Sequence, residues 1–198
     1  MKSINKNVVN EIIINKSRFI TKLIKINNED EIKIKLDYIK KEYKDATHYC
    51  YAYITGNTKR FNDDGEPGGT AGMPILNVLE NNNLTNILCV VIRYFGGIKL
   101  GAGGLVRAYT KAVTGALNNA KIINLTDGFS INLEFDYNKI KIIDNILKDI
   151  KINYKEYDEN IIYEFLIGKD KFNEIKKELE NNSINLKIID NILVEITQ

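Results

Sequence analysis

Residues 90–109 read VVIRYFGGIKLGAGGLVRAY, and the pattern of apolar residues changes within this stretch. The run 87–95 is apolar and rich in β-branched residues, which predicts a buried strand. Beyond the glycines, apolar residues return at the helical spacing, at Leu105, Ala108, Tyr109, Ala112 and Ala116. The stretch therefore predicts a strand, a glycine loop and a helix that packs on the sheet.

The glycine loop predicts a binding site for an anion, in the first instance a phosphate. Its glycines are Gly96, Gly97, Gly101, Gly103 and Gly104. Glycine permits positive φ and close approach of a ligand, and the free amides of a helix N-terminus attract negative charge. Arg93, Lys99 and Arg107 bracket this point, and Arg107 is expected in the first helical turn. The alternative is a tight strand-to-helix turn with solvated cations.

The loop does not match the two common phosphate-binding fingerprints. A G-x-G-x-x-G motif that starts at Gly101 would need a glycine where Val106 stands. A P-loop that starts at Gly96 would need a lysine where Ala102 stands. The sequence therefore predicts neither a Rossmann nor a P-loop site.

The composition is that of an ordinary globular protein of one large or two small domains. The chain has 198 residues, of which 44% are hydrophobic and 27% are charged. No run reaches the roughly 18 apolar residues of a membrane span, and the N-terminus lacks the apolar region of a signal peptide. Cys50 and Cys89 fall in predicted strands without a CxxC partner, which indicates reduced core thiols. We therefore expect a cytoplasmic protein that does not associate with a membrane.

The charge is distributed unevenly between the two halves of the chain. Residues 1–126 carry 18 Lys and Arg against 11 Asp and Glu, a net charge of +7. Residues 127–198 carry 10 against 15, a net charge of −5. The basic first half is weak evidence for a polyanionic partner such as RNA, and ordinary variation of surface charge explains it equally well.

The first half also contains a strand that carries the single histidine of the chain. Residues 46–54 alternate as a strand, with Tyr49, Tyr51 and Tyr53 on one side and His48 on the other. His48 is the only histidine, and it is either a structural strand residue or a general base.

A long loop at 55–72 then carries three carboxylates, Asp63, Asp64 and Glu66. Long loops are often functional, and these side chains suit either Mg²⁺ binding and acid–base chemistry or ordinary turn formation. The spacing does not decide between these roles, and no cofactor or metal is firmly predicted.

The elements predicted around these features follow the chain in order. The N-terminal part is expected to hold two strands over 8–26 with a turn at Asn15-Lys16, a helix over 29–43 capped by Asn28 and a helix over 73–82. A strand is expected at 121–126, and a domain boundary follows it.

The second domain, 127–198, has strands at 129–136, 151–157, 160–167 and 185–196, and helices at 138–150 and 169–181. That βαββαβ order is ferredoxin-like. The first domain is 1–126, and the fold class is α+β.

Two unusual motifs resemble those of the IMPACT/YigZ family. They are the loop 63–72, DDGEPGGTAG, and the stretch 93–109, RYFGGIKLGAGGLVRAY, and the strand THYCYAY around His48 fits the same pattern. The resemblance covers about residues 16–125, and the remainder looks like the small C-terminal domain of bacterial members. Gly68 stands where many members have serine.

The resemblance implies a fold and a biological setting rather than a reaction. The N-terminal domain is expected to be similar to the second domain of a small-subunit ribosomal protein, and the C-terminal domain to the last domain of elongation factor G. Eukaryotic relatives regulate translation by binding a partner in a stress-kinase pathway. No settled catalytic activity carries over, so we do not expect an enzyme.

Three functional hypotheses follow from these features. The first is a regulator that binds RNA, the ribosome or translation factors through cations of the first domain, among them Lys59 and Arg60, with the strand tyrosines as stacking candidates. The second is a protein–protein regulator that docks through the acidic second domain. The third is an enzyme that holds a phosphorylated small molecule or nucleotide in the glycine loop and uses the loop carboxylates with His48.

Overall fold

The computed structural model describes residues 1–195 and divides the chain into two units, Met1–Ile123 and Asn124–Gln198. We call them the N-terminal unit and the C-terminal unit. The sequence predicts the boundary at residues 126 and 127, whereas the structural division falls three residues earlier. Both units are mixed α/β structures.

The N-terminal unit is built on one antiparallel sheet. Its elements are β1 (Lys2–Ile4), β2 (Val8–Ile14), β3 (Ser17–Lys25), α1 (Asp30–Glu42), β4 (His48–Thr55), β5 (Thr58–Asn62), α2 (Gly72–Asn81), β6 (Ile87–Tyr94) and α3 (Gly101–Asn118). Five strands pair in the order β2-β3-β6-β4-β5, and β1 is not part of this sheet. The apolar run 87–95 therefore forms the central strand, and all but one of the residues of β6 are buried.

Helices cover both faces of this sheet. On one face, α1 buries Ile32 and Ile39 against the strands. On the other face, α2 and α3 pack side by side, with Leu79 and Tyr109 in the buried cluster. The ring of Tyr109 meets the ring of Phe19 edge to face at 5.4 Å. The predicted packing of α3 on the sheet is confirmed.

The first hairpin follows the sequence prediction closely. β2 and β3 meet at Asn15 and Lys16, whose φ angles are 44° and 63°. Two consecutive residues with positive φ make the turn whose twist matches an antiparallel hairpin, and asparagine tolerates that conformation. The first helix is confirmed as well, but its N-cap is Glu29 and not the predicted Asn28. Oδ1 of Asn28 still accepts a hydrogen bond from the Glu31 amide at 3.3 Å.

The predicted long loop at 55–72 is wrong in its first part. Residues 58–62 form β5, which pairs with β4 after a two-residue turn in which Gly56 has φ 53°. The turn residues Gly56 and Asn57 favour such a hairpin, but the polar sequence of β5 hides its strand character. This leaves residues 63–71 as the loop that carries the three carboxylates.

The predicted start of the helix after the glycine loop is also wrong. α3 begins at Gly101, so Gly101, Gly103 and Gly104 form its first turn instead of preceding it. Arg107 consequently lies in the second turn. Glycine is unfavourable inside a helix, and this made the segment look like a loop.

The C-terminal unit has the βαββαβ order that the sequence predicts. Its elements are β7 (Ile122–Phe135), α4 (Ile140–Ile146), β8 (Ile152–Tyr157), β9 (Ile161–Gly168), α5 (Lys169–Asn182) and β10 (Asn185–Glu195). The first two residues of β7 belong to the N-terminal unit. Residue 196, the predicted end of the last strand, lies outside the described residues. The strands pair antiparallel in the order β10-β7-β9-β8. α4 and α5 cover one face with a separate buried cluster.

Two predictions for this unit need correction. The strands expected at 121–126 and 129–136 are one continuous strand, β7, and Thr126-Asp127-Gly128 does not interrupt it. Gly128 is needed there because a Cβ would lie 2.8 Å from the Val194 side chain and would meet the backbone of Ile167. The helix predicted over 138–150 is a 3₁₀ turn (Tyr137–Lys139) followed by α4, which ends at Ile146.

Candidate functional site

Glu66 lies at the centre of a buried polar network in the N-terminal unit. Its residue exposure is 8%, and its carboxylate faces the inside of the unit. Oε1 accepts hydrogen bonds from the Arg93 guanidinium at 2.6 Å and from the Tyr109 hydroxyl at 2.8 Å. The loop 63–71 is therefore tied to the central strand and to α3 by a single carboxylate.

Arg93 is the buried cation of this network. Its side chain is only 5% exposed, and its guanidinium lies between the rings of Phe19 and Phe95 at 5.4 and 5.6 Å. A second guanidinium nitrogen is 3.4 Å from the Ser17 hydroxyl, while Nε has no hydrogen-bond partner within the described chain. The sequence predicts Arg93 as an anion ligand, and in the structure the anion that it binds is Glu66.

Tyr109 and Cys50 extend the network away from Glu66. The Cys50 sulfur lies 3.2 Å from the Tyr109 hydroxyl and 3.0 Å from the backbone oxygen of Asp63. Burial raises the pKa of Tyr109, and burial raises the pKa of the Cys50 thiol to about 12. Both groups therefore stay protonated and act as hydrogen-bonding groups.

His48 borders the network and is fixed in one orientation. Nδ1 lies 2.9 Å from the backbone oxygen of Asp64, and because a carbonyl only accepts, Nδ1 carries the proton. Nε2 then points towards Glu66, 3.9 Å from Oε2, and the side chain is 19% exposed. The structure thus brings His48, Glu66 and Arg93 together, although they are far apart in the sequence.

The other two loop carboxylates bind backbone amides. Asp63 accepts hydrogen bonds from the amides of Gly69, Ala71 and Gly72 at 2.7–3.0 Å, which places a negative charge at the start of α2. Asp64 accepts a bond from the Tyr49 amide at 2.7 Å. These bonds hold the loop shape, so the turn-forming alternative accounts for both residues. Within residues 1–195, no group of three or more His, Cys, Asp or Glu side chains is arranged to hold a metal ion.

The glycine pair after β6 has a steric role. A Cβ on Gly96 would overlap the backbone of Lys16 and Ser17 in the first hairpin, and the Gly96 amide donates to the Ser17 hydroxyl at 3.2 Å. Gly97 has φ 82°, a conformation that favours glycine. The pair therefore lets the chain leave the sheet directly against the β2–β3 turn.

The N-terminus of α3 is exposed and uncapped. No side chain of residues 1–195 caps it, and its first turn contains no acidic residue. Lys99 and Arg107 are both exposed, and the Arg107 guanidinium lies beside Gly103. Arg107 also lines a groove of about 440 Å³ that includes Ile12, Val106 and Lys111. Lys99 and Arg107, two of the predicted anion ligands, are thus both accessible to solvent.

The strand tyrosines lie on the opposite face of the sheet, as the alternation predicts. Tyr53 is buried and its hydroxyl donates to Glu29, while Tyr49 donates to the backbone oxygen of Tyr43. Together with Tyr51 they pack in the cluster covered by α1. This packing accounts for the three tyrosines as structural residues of the sheet, so a base-stacking role is not needed to explain them.

Sequence reasoning missed Tyr109 and Ser17 as members of the polar network. Tyr109 belongs to the apolar stripe of α3, and a buried tyrosine usually finds a partner for its hydroxyl. Arg93 offered a similar indication, because it stands inside an otherwise apolar strand where a cation needs a counter-charge.

Known proteins are similar to this chain both in the motif region and over most of its length. The model of the Impact N-terminal domain matches residues 15–117. The chain belongs to the IMPACT family. It is 40% identical to the IMPACT family member YvyE of Bacillus subtilis over 185 residues, which cover 89% of this chain and 85% of that protein.

Other family members extend the similarity across both units. YigZ of Escherichia coli is 35% identical over 183 residues and covers 89% of each chain. A crystal structure described as that of a hypothetical protein is 32% identical, has a TM-score of 0.67 and covers 96% of this chain and 97% of that one. Among the described residues of this IMPACT family member, no helix combines the length and apolarity needed to cross a membrane.

Both cysteines of this IMPACT family member are free and buried, and we predict that they do not react in the folded state. With a pKa of about 12, about one Cys50 thiol in ten thousand is ionised at pH 8, and burial also raises the pKa of Cys89. An aromatic disulfide reagent should therefore react at least about a hundredfold more slowly with the native chain than with the chain in denaturant. Rapid labelling of one thiol in the native chain would contradict the burial described above.

Proposed function

We propose that this IMPACT family member regulates translation by binding RNA of the translation machinery through its N-terminal unit. The observation that supports this proposal most strongly is a basic region around the uncapped start of α3. We call this region, formed by Lys16, Lys99, Arg107 and Lys111, the basic rim. The proposal keeps Lys99 and Arg107 as phosphate ligands and gives Arg93 the role of a positioning residue.

The members of the basic rim lie in or beside residues 96–104, which we call the glycine segment, or share a groove with Arg107. The backbone of Lys16 lies against Gly96, and Lys99 follows three residues later. Arg107 folds back beside Gly103, and Lys111 lines the same groove as Arg107. All four cations are exposed, and within residues 1–195 none of them forms an ion pair.

The free amides of α3 add to the attraction for a phosphate. The helix is 18 residues long, so its dipole is fully developed, and its first-turn amides have no capping side chain. Cations and free amides together are the usual combination for binding a phosphate backbone without reading its sequence. This chemistry suits structured or single-stranded RNA equally.

The family supports the link to translation. The sequence features resemble those of eukaryotic relatives that regulate translation, and the protein IMPACT homolog of Dictyostelium discoideum is 35% identical over 129 residues, 61% of this chain and 35% of that protein. The expected likeness of the two units to a ribosomal protein domain and to an elongation factor domain is part of the same proposal.

Replacement of Arg107 and Lys111 by alanine tests this function. We expect the double variant to bind a labelled single-stranded RNA about tenfold more weakly at low salt. The slope of log affinity against log salt should fall by about 1.4, because each phosphate contact on single strands contributes about 0.7. Fluorescence anisotropy over a salt series measures both quantities.

Lys35→Ala is the matched control for that experiment. Lys35 is also a lysine on a helix surface of the N-terminal unit, but its ammonium group lies 2.9 Å from Glu31. Its removal should leave the RNA affinity and its salt dependence unchanged. Equal losses in the control and the double variant, or wild-type affinity that does not depend on salt, would refute the proposal.

The alternative is an enzyme or a sensor that binds a phosphorylated small molecule at the same place. The groove beside Arg107 and Lys111 has room for a mononucleotide, and its apolar floor includes Ile12 and Val106. Competition separates the two ligand classes. A mononucleotide that displaces the RNA at a concentration near that of the RNA itself would favour the small-molecule hypothesis.

A further inference from the structure

Within residues 1–195, helices pack on only one face of the sheet of the C-terminal unit. Ile131, Leu133 and Phe165 point towards α4 and α5 and are buried. The residues that alternate with them along β7 and β9 point to the opposite face of the sheet. On that side, Tyr154 is 49% exposed and Leu166 is 43% exposed, so apolar surface remains open.

The strand register places carboxylates among these apolar side chains. Ile162 of β9 pairs with Glu134 of β7 on one side and with Glu156 of β8 on the other. The next outward residue of β9, Glu164, pairs with Tyr154. Paired residues in antiparallel strands share a face. We call the set Glu134, Tyr154, Glu156, Ile162, Glu164 and Leu166 the acidic sheet face.

The negative charge of this face is not balanced by its own strands. Within residues 1–195, Glu134, Glu156 and Glu164 form no ion pair. The neighbouring lysine of β8, Lys155, lies over the Tyr163 ring in the helix-covered half of the unit. One cation, Lys187, pairs with Asn132 on the open side. The carboxylates of Glu156 and Glu164 raise the pKa of Tyr154, as expected in a negative environment.

We infer that the acidic sheet face docks a cationic polypeptide segment in which basic and apolar side chains alternate. The apolar members contribute contact area, and the carboxylates between them select lysine or arginine. An anionic nucleic acid is repelled by the same charges. This inference goes beyond the proposed function, since it assigns a second partner of opposite charge to a different unit.

Neutral variants of the full chain test the docking surface. The probe is a labelled peptide in which lysine alternates with valine, and a peptide in which glutamate alternates with valine serves as its negative control. We expect Glu156→Gln combined with Glu164→Gln to weaken binding of the lysine peptide about tenfold, because two charge contacts are lost. Binding of the wild-type chain should also weaken as salt is added.

Glu178→Gln combined with Glu180→Gln is the matched control. Both residues are exposed on α5, which packs on the covered face, so the change in net charge is the same but the position differs. This pair should change the affinity less than about twofold. Circular dichroism of both variants should show an unchanged fold.

Several results would overturn the inference. The first is equal weakening of lysine-peptide binding by the Glu156/Glu164 variant and the Glu178/Glu180 variant. The second is binding of the glutamate peptide, or no binding of the lysine peptide, by the wild-type chain. The third is weaker RNA binding by the Glu156/Glu164 variant. Sedimentation that shows self-association lost only in that pair would identify a second copy of the chain as the occupant instead. Failure of RNA binding at the basic rim leaves the peptide result intact, because the two assays probe different units.

Discussion

Replacement of Glu66 by alanine is expected to lower the free energy of unfolding of the N-terminal unit by about 3–5 kcal/mol. The Arg93 guanidinium and the Tyr109 hydroxyl would both lose their acceptor, and both side chains are buried. A buried charge without a counter-charge is one of the largest single destabilising changes in a protein. Thermal unfolding should show the loss as a decrease of roughly 10 °C or more in Tm.

Two further variants separate the buried charge from general damage. Glu80→Ala removes an exposed carboxylate bonded to Lys59 at 2.7 Å, and it should cost less than about 1 kcal/mol. Glu66→Leu combined with Arg93→Met replaces both charges by apolar groups, and it should recover at least about half of the stability lost in Glu66→Ala. A loss in Glu66→Ala no larger than that in Glu80→Ala would contradict the network described here.

Replacement of Gly96 by alanine is expected to destabilise the N-terminal unit by about 3 kcal/mol. The added methyl group would overlap the backbone of Lys16 and Ser17, and backbone cannot move aside as a flexible side chain can. The first hairpin or the start of the glycine segment would have to shift. Chemical denaturation measures the change.

Gly103→Ala is the control for that variant, because it adds the same methyl group to the same segment. In the first turn of α3, the new methyl would only approach the Arg107 guanidinium at 3.6 Å. Alanine is also the better helix former, so stability should stay constant or rise by up to about 1 kcal/mol. A Gly96 variant as stable as the wild type would show that the close approach of these two segments is not needed.

Local patterns predicted most of the regular structure. The Asn15-Lys16 hairpin, the alternation around His48 and the βαββαβ order all follow from short-range periodicity and turn chemistry. The errors occurred where local preference and final structure disagree. Glycine-rich residues 101–104 enter a helix because Leu105 and Tyr109 anchor it in the core, and the turn at Asp127-Gly128 is overridden by pairing on both sides of β7.

The polar network could not be predicted from local patterns, because its members are far apart in the sequence. Glu66 and Arg93 are 27 residues apart, and Glu66 and Tyr109 are 43 residues apart. Only the folded sheet and α3 bring them together. The sequence identified Glu66, His48 and Arg93 as unusual, but it placed them in hypotheses about ligands, whereas the structure gives each a partner inside the protein.

In our proposal, the buried polar network and the basic rim have different roles in the N-terminal unit. Glu66, Arg93 and Tyr109 hold the loop 63–71, the central strand and α3 in fixed positions. Lys99, Arg107 and the uncapped start of α3 then face solvent, where we propose that they contact a phosphate backbone. On this account, Arg93 influences binding through the position of the glycine segment rather than through contact with RNA.

The most direct test is to map RNA contacts by NMR on the isotope-labelled chain. We predict that a single-stranded oligoribonucleotide shifts the amide resonances of residues 97–104 and of Arg107 and Lys111 more than any others, and that added salt reverses the shifts. Shifts confined to the C-terminal unit, or no shifts at a concentration of RNA that saturates known RNA-binding domains, would contradict the account.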